Sequence, residues 1–317
     1  MGPWPLDQRG PLVEQIAPVY WIMFAAAMVV FAIVAGALIY SGIRFRERPG
    51  HVAQQFHGHN LLELIWTVVP TLMVISFSIL SWNKLNIVND VSGAAMTIQV
   101  EGRQWSWSYT YPDQPQFKLA DGSRLVAGTL DIPVGQKIKL DLTSKDVIHS
   151  FFVPNMGGKK DAVPGHTNEM WIQADQPGTY VSHCTEFCGD GHADMLITIV
   201  AHPQGEYATW AKDAVTQANR LNDPATKAGR DTFLASACVG CHTVQGTQAN
   251  GKVGPELTHI ASKPNIAGVL SPVNEENLTK WVSNAPGIKP GIVMPKFQGV
   301  LTDQQIHDIV QWLLTLK

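Results

Sequence analysis

Charge is missing from this chain in two long stretches. No charged residue occurs from Ala17 to Ile43 or from Leu64 to Asn83. A helix needs roughly 20 apolar residues to cross the hydrocarbon core of a bilayer, and a soluble core helix of that length keeps a polar face. Two membrane spans are therefore expected, over about 17–43 and 62–83. Neither contains a histidine, so the spans offer no ligand cluster for a redox metal. A clear small-x-small cleavage site is also missing after the first run, which is too long for a signal peptide. There is no internal repeat and no low-complexity tract. The net charge of −3 gives no sign of a nucleic-acid partner. Cysteine is scarce, at four: Cys184, Cys188, Cys238 and Cys241. An even count in an exported chain invites a disulfide reading, but each pair sits inside a denser donor motif, and no structural disulfide is expected.

Between the spans, RFRERPGHVAQQFHGHN carries Arg44, Arg46 and Arg48 against Glu47 alone. A Lys/Arg excess in a short loop marks the cytoplasmic side, which puts both termini and everything after about residue 84 outside. Period-two patterning follows. Ile98 and Val100, then Trp105, Trp107, Tyr109 and Tyr111, alternate with polar neighbours, as do Leu130, Ile132 and Val134, then Ile138, Leu140 and Leu142. PDQP, ADGS and PVGQ mark turns between them, and MLITIV reads as a closing strand. Short strands without intervening helices indicate an all-β sandwich or Greek-key barrel over 93–203, behind a tail and hairpin over 1–92. From Gln204, Tyr207, Trp210, Ala211, Ala214, Val215 and Ala218 fall on one helical face, an amphipathic connector over 204–224 that breaks at Asn222, Asp223 and Pro224. Residues 225–317 read as a small all-α domain, with an opening helix through RDTFLASA, an irregular middle rich in Gly and Pro, and a closing helix in TDQQIHDIVQWLLTL. The β-region holds eight Lys/Arg and twelve Asp/Glu, the last domain eight and six, so their formal charges attract.

HCTEFCGDGHADM, His183 to Met195, concentrates soft donors. Cys188, His192 and Met195 with a distant His149, at the end of a strand in VIHSFF, would make a mononuclear blue-copper set, but Cys184 would then be idle. A second thiolate on the same loop can bridge two coppers, each taking one histidine and one weak ligand, from Met195 or the Glu186 carbonyl. A tetrahedral zinc on His149, Cys184, Cys188 and His192 is the competitor, and it leaves Met195 unexplained. His183 points the other way if its stretch is extended. Further on, Cys238-x-x-Cys241-His242 is the attachment motif for a c-type haem. Met294 is the only methionine after Met195, and a His/Met pair raises the iron potential; His259 and His307 are the alternative sixth ligands.

Two spans, a β-domain and C-x-E-x-C-x3-H-x2-M together resemble subunit II of the haem–copper cytochrome oxidases over most of residues 12–203. The resemblance implies an all-β cupredoxin-like Greek-key domain holding binuclear copper A through His149, Cys184, Glu186, Cys188, His192 and Met195. It further implies magnesium on the Glu186 side chain at an interface with subunit I. ELIWTVVP resembles the family's second span, which would make Glu63 the entrance of a proton path. EGRQWSWSY resembles the region that receives electrons, with Trp105 as the entry residue, and DAVPG, with Asp161, resembles the face toward subunit I. His166 stands where many members carry arginine. Met-Pro-x-Phe and KVGPEL, with Gly254 and Pro255, resemble the ligand loops of a class I cytochrome c. The whole is similar to a caa-type subunit II with a fused cytochrome c domain, a multidomain protein of a bacterial plasma membrane. Such a subunit would carry electrons from an external donor, such as cytochrome c or a bc-type complex, through haem c and copper A to subunit I. Subunit III is a further expected partner. A haem–copper nitric oxide reductase and a membrane-anchored carrier acting without a catalytic subunit are the rival readings.

Overall fold

The computed structural model describes residues 7–50, 57–112, 114–218, 221 and 223–317. Of the stretches used in the sequence reading, residues 51–56 of the loop between the spans, Asp113 of PDQP and Asn222 lie outside the described residues. The two uncharged runs are helices α1 (Pro11–Arg44) and α2 (Asn60–Asn89), both longer than the apolar windows that announce them. Polar ends extend them, and Lys84 donates a 2.7 Å hydrogen bond to Gln15 that ties α2 to α1. Along α2 the hydroxyls of Thr67, Thr71, Ser76 and Ser78 donate to carbonyls four residues back. Each hydroxyl is thereby satisfied within its own helix, as a lipid environment demands. Glu14–Asn89, nearly all of both helices, forms one compact unit, and everything from Asp90 onward, with the residues up to Val13, belongs to another.

The second unit begins with ten strands: β1 (Met96–Arg103), β2 (Ser106–Thr110), β3 (Val126–Ala127), β4 (Leu130–Pro133), β5 (Ile138–Ser144), β6 (His149–Phe152), β7 (Lys159–Ala162), β8 (Asn168–Ile172), β9 (Gly178–His183) and β10 (Leu196–His202). They form a five-stranded sheet in the order β3-β2-β1-β5-β8, a three-stranded sheet β4-β10-β9 and a ribbon β6-β7. The β1–β5 and β4–β10 pairs are parallel and the others antiparallel. The alternating residues Ile138, Leu140 and Leu142, with Trp107 and Tyr109, point into a shared core. Asp131 breaks the alternation and is buried between Leu130 and Ile132. It is tolerated because its carboxylate meets Thr129 and His202 and its backbone exchanges two hydrogen bonds with the Tyr111 hydroxyl.

Helix α3 (Gln204–Ala218) is more than a connector. Tyr207, Ala211 and Ala214 join the sandwich core, and Trp210 stacks with both Tyr207 and His202. The remainder has its own core around Phe233, Val282, Ile309 and Trp312, built on α4 (Lys227–Ala235), α5 (Cys238–Cys241), α6 (Glu275–Ile288) and α7 (Asp303–Leu313). Thr302 and Gln305 cap α7 reciprocally. The middle of this domain is not all irregular, as the Gly/Pro content suggests. Asn274 caps α6, Glu275 and Glu276 occupy its first turn, and Pro286 falls beyond a non-helical residue, Asn284, inside it.

Candidate functional site

The donor-rich stretch is the hairpin loop between β9 and β10. It is closed at the neck where the Cys184 amide donates to the Met195 carbonyl at 2.9 Å. Inside it, Cys184 Sγ stands 3.2 Å from the Glu186 carbonyl oxygen. Cys188 Sγ stands 3.5 Å from His192 Nδ1 and 3.8 Å from Met195 Sδ. His149 arrives from the other side, its Nδ1 4.0 Å from Cys184 Sγ, and the donor atoms of His149, Cys184 and Cys188 lie within 4.8 Å of one another. Contrary to the sequence expectation, His149 does not end a strand. It opens β6, because Asp146 turns the chain after β5: Ser144 donates to the Val147 carbonyl, and Asp146 accepts from Val147 N.

These six residues divide into two similar halves, each with one thiol, one imidazole and one weak donor. That composition suits a pair of soft ions sharing two thiolates; neither zinc nor a single copper uses all six donors. Burial opposes ionisation of Cys184, yet hydrogen bonds to His149, Ser150 and Glu186 outweigh it and bring the thiol down to about 7. Burial and the neighbouring Cys184 push Cys188 up to about 12. One thiolate suppresses the other, and a cation pair would ionise both. His183 is exposed and turned to the Ala193 carbonyl.

The loop has a second layer. His149 Nε2 bonds Asp146 at 2.8 Å, and Asp146 also accepts from Gln104 N. Trp105 Nε1 and Gln104 Nε2 both donate to the Cys188 carbonyl, at 3.0 and 2.7 Å. Trp107 packs edge-on to His149 with ring centroids 5.9 Å apart.

Cys238, Cys241, His242 and Met294 line one cavity of about 240 Å³, with apolar walls that include Leu278 and Val282. His242 Nδ1 donates to the Pro255 carbonyl at 2.8 Å, which directs Nε2 as the free ligand atom. A Cβ at Gly254 would stand 2.5 Å from the imidazole, so only glycine permits this approach. The apolar walls, the thiol pair and the His242 and Met294 donors fit a covalent haem. His259 is buried and turned to the Ala214 carbonyl, and His307 lies beside Glu275, both away from the cavity lining. Trp105 and Trp107 of the sandwich line the same cavity.

Comparison with known proteins agrees with this arrangement. Residues 7–83 match the family described as cytochrome c oxidase subunit II, transmembrane domain; 96–202 match its periplasmic domain; and 226–317 match cytochrome c. Subunit 2 of cytochrome c oxidase from Alkalihalophilus pseudofirmus is 31% identical over 321 residues, covering 98% of this chain and 90% of its own. The chain belongs to the cytochrome c oxidase subunit II family. The corresponding protein of Bacillus sp. PS3 is 31% identical over 86% of this chain and 80% of its own. The periplasmic domain of subunit II from Bradyrhizobium japonicum shares 36% identity over 40% of this chain and 99% of its own, with a TM-score of 0.36. This subunit II therefore joins a membrane anchor, a copper A domain of cupredoxin type and a cytochrome c domain, and works in electron transfer within an oxidase complex with subunit I.

Of the other sequence-predicted residues, Glu63 lies in the first turn of α2, its carboxylate accepting from His59 N. The Glu186 side chain is exposed, Asp161 accepts from the Ser150 hydroxyl, and His166 is exposed. Sequence reasoning missed Gln104, Asp146 and Lys289. Only Asp146 had a local signal, a turn residue three positions before a ligand.

Proposed function

We propose that this subunit admits electrons to a caa-type terminal oxidase, where subunit I reduces oxygen to water and pumps protons. The observation that carries the reading is the indole of Trp105, which lines the cavity of Cys238, Cys241, His242 and Met294 and also bonds the carbonyl of Cys188. Haem c in that cavity and copper A on the loop would each take up and release single electrons. The chain's residues supply the rest. Cys238 and Cys241 would anchor a haem covalently, and His242, held by the Pro255 carbonyl, and Met294 would supply the protein ligands to its iron. His149, Cys184, Glu186, Cys188, His192 and Met195 would hold the coppers, in a loop closed at its neck by the Cys184 amide and the Met195 carbonyl.

Trp105 is the entry residue to the copper loop, and Glu63 the carboxylate at the mouth of a proton path. Membrane-edge carboxylates are costly enough to be retained for such work. The exposed Glu186 carboxylate is available to magnesium at the subunit I face. The Arg44–Arg48 excess puts both extramembrane domains on the outer side of a bacterial plasma membrane, with subunit III and an external cytochrome c or bc-type donor as further partners.

The test is substrate consumption by the purified complex, fed by ascorbate through a small mediator, with oxygen and nitric oxide supplied separately. Cyanide-sensitive oxygen uptake, abolished in Cys188→Ser, is expected. Nitric oxide reduction with little oxygen uptake would move the chain to the rival reductase. Purification without a haem-bearing membrane subunit would leave it a carrier.

A further inference from the structure

The cytochrome domain meets the copper loop more closely than ordinary side chains permit. A Cβ at Gly191 would overlap the Trp105 ring and stand 2.8 Å from Lys289 Cε. One at Gly291 would stand 2.9 Å from Asp190 Oδ2 and 3.4 Å from Trp105, and one at Gly268 would overlap the Asp194 carbonyl. Glycines on both sides thus let two backbones approach around a single indole.

At the centre of this seam is a cation. Lys289 is 3% exposed. Its Nζ donates to the Ala267 carbonyl at 2.8 Å and stands 5.8 Å from the Trp105 ring centroid. Burial pushes its pKa down, while Asp194 and Cys188 across the seam pull it back up. An apolar side chain would fill the same space without losing hydration, so packing alone does not account for a lysine here. Its chemistry answers the ring: an ammonium near an indole face is held by the ring quadrupole, more strongly when water is excluded. The indole is held from its other edge by its bond to the Cys188 carbonyl. Lys289 also lies five residues before Met294, on the segment that leaves α6.

We propose that Lys289 is the positioning residue for electron transfer between the two redox domains, fixing the Trp105 indole and the Met294 segment in one arrangement. The inference rests on the reading of Trp105 as the entry to copper A. The step it serves moves one electron from reduced haem c, which is oxidised, to the oxidised copper pair, which is reduced; no bond is made and no proton moves. Lys289 neither donates nor accepts that electron. It sets the distance and the ring orientation on which the step depends.

The experiment uses the full-length, haem- and copper-loaded chain with four variants: Lys289→Met, Lys289→Arg, Trp105→Phe and the Lys289→Met/Trp105→Phe double. Two quantities are read: the rate of copper reduction after photoreduction of haem c, and hydrogen exchange in the 186–195 loop. In Lys289→Met the transfer is expected to slow about tenfold or more, with haem and copper absorption unchanged and the loop exchanging faster. Lys289→Arg restores the rate to within about threefold, and in the Trp105→Phe background Lys289→Met adds less than about threefold. A Lys289→Met rate within about twofold of the parent, or equal slowing in both backgrounds, overturns the proposal. If Lys289→Met loses a cofactor, Lys289→Gln is read by the same criteria. Trp105→Phe at the parent rate removes the entry reading itself, whereas slow Trp105→Phe with normal Lys289→Met removes only the role of Lys289.

Discussion

The residue that repays most attention beside the copper loop is Asp146, which no motif announces. Its carboxylate gathers Gln104 N, Val147 N and His149 Nε2. Burial works against its charge, and these bonds outweigh burial and lower its pKa. For His149, burial opposes protonation, but contacts with Cys184 and Asp146 prevail and raise the pKa. The same carboxylate therefore fixes the ring that must present Nδ1 and ties it to the strand turn carrying Trp105. Removing such a partner of a ligating histidine costs about 10–100-fold in metal affinity. Asp146→Ala should lose copper by that factor in a chelator competition followed by the thiolate charge-transfer absorption, and Asp146→Asn, which keeps an acceptor, should lose less. Equal affinity in all three proteins would mean that the loop orients His149 unaided.

At the scale of elements, the copper hairpin was legible because five of its six donors sit within twelve residues, where spacing alone limits geometry. His149 was legible only as chemistry in search of a fourth side chain, and its strand was misplaced because the Asp146 turn interrupts an otherwise apolar run. The segment between α5 and α6 was less legible still. Its Glu256, read only as part of KVGPEL, is buried, and the half-buried Lys263 donates to its backbone carbonyl at 3.4 Å. Burial pushes the carboxyl up to about 8, against Lys263 and the Thr258 amide, and pushes Lys263 down. A carboxyl whose folded pKa lies above its ordinary value binds its proton more tightly in the folded state. Its contribution is therefore full at acid pH and is lost as pH rises from about 4.5 to about 8. Lys263 acts with the opposite sign at higher pH. Thermal unfolding of the full chain, followed in the haem absorption, should fall in midpoint from about pH 5 to about pH 8. Glu256→Gln should flatten that slope, with a gain of roughly 1–3 kcal/mol at the alkaline end. A slope that survives the substitution would place the titrating group elsewhere.

At the scale of the whole extramembrane unit, the seam between its two domains is the part that no sequence pattern could disclose. Lys289 and Trp105 are far apart in the chain, and each belongs to an element whose local pattern is satisfied without the other. The opposite formal charges of the domains predict attraction but not a register. In the structure the register comes from short-range hydrogen bonds to backbone groups. Arg103 reaches the Lys252 and Gly254 carbonyls, Gln245 bonds the backbone of Arg124 and Val126, and His259 bonds the Ala214 carbonyl. Long-range charge and short-range contact respond differently to salt, because a Debye length of about 8 Å at physiological ionic strength screens the former and hardly touches a buried seam. Raising ionic strength should therefore leave haem-to-copper transfer within the docked state unchanged within about twofold, while re-docking after a transient opening slows. Hydrogen exchange in the 186–195 loop reads the second quantity, since it reports the population of the open seam. Faster exchange at high salt with a constant transfer rate is the expected pair of results. If transfer slows as exchange quickens, the domains separate between turnovers and the tether acts by raising effective concentration. If neither moves, the charge imbalance has no part in docking and the short-range hydrogen bonds alone hold the two domains together.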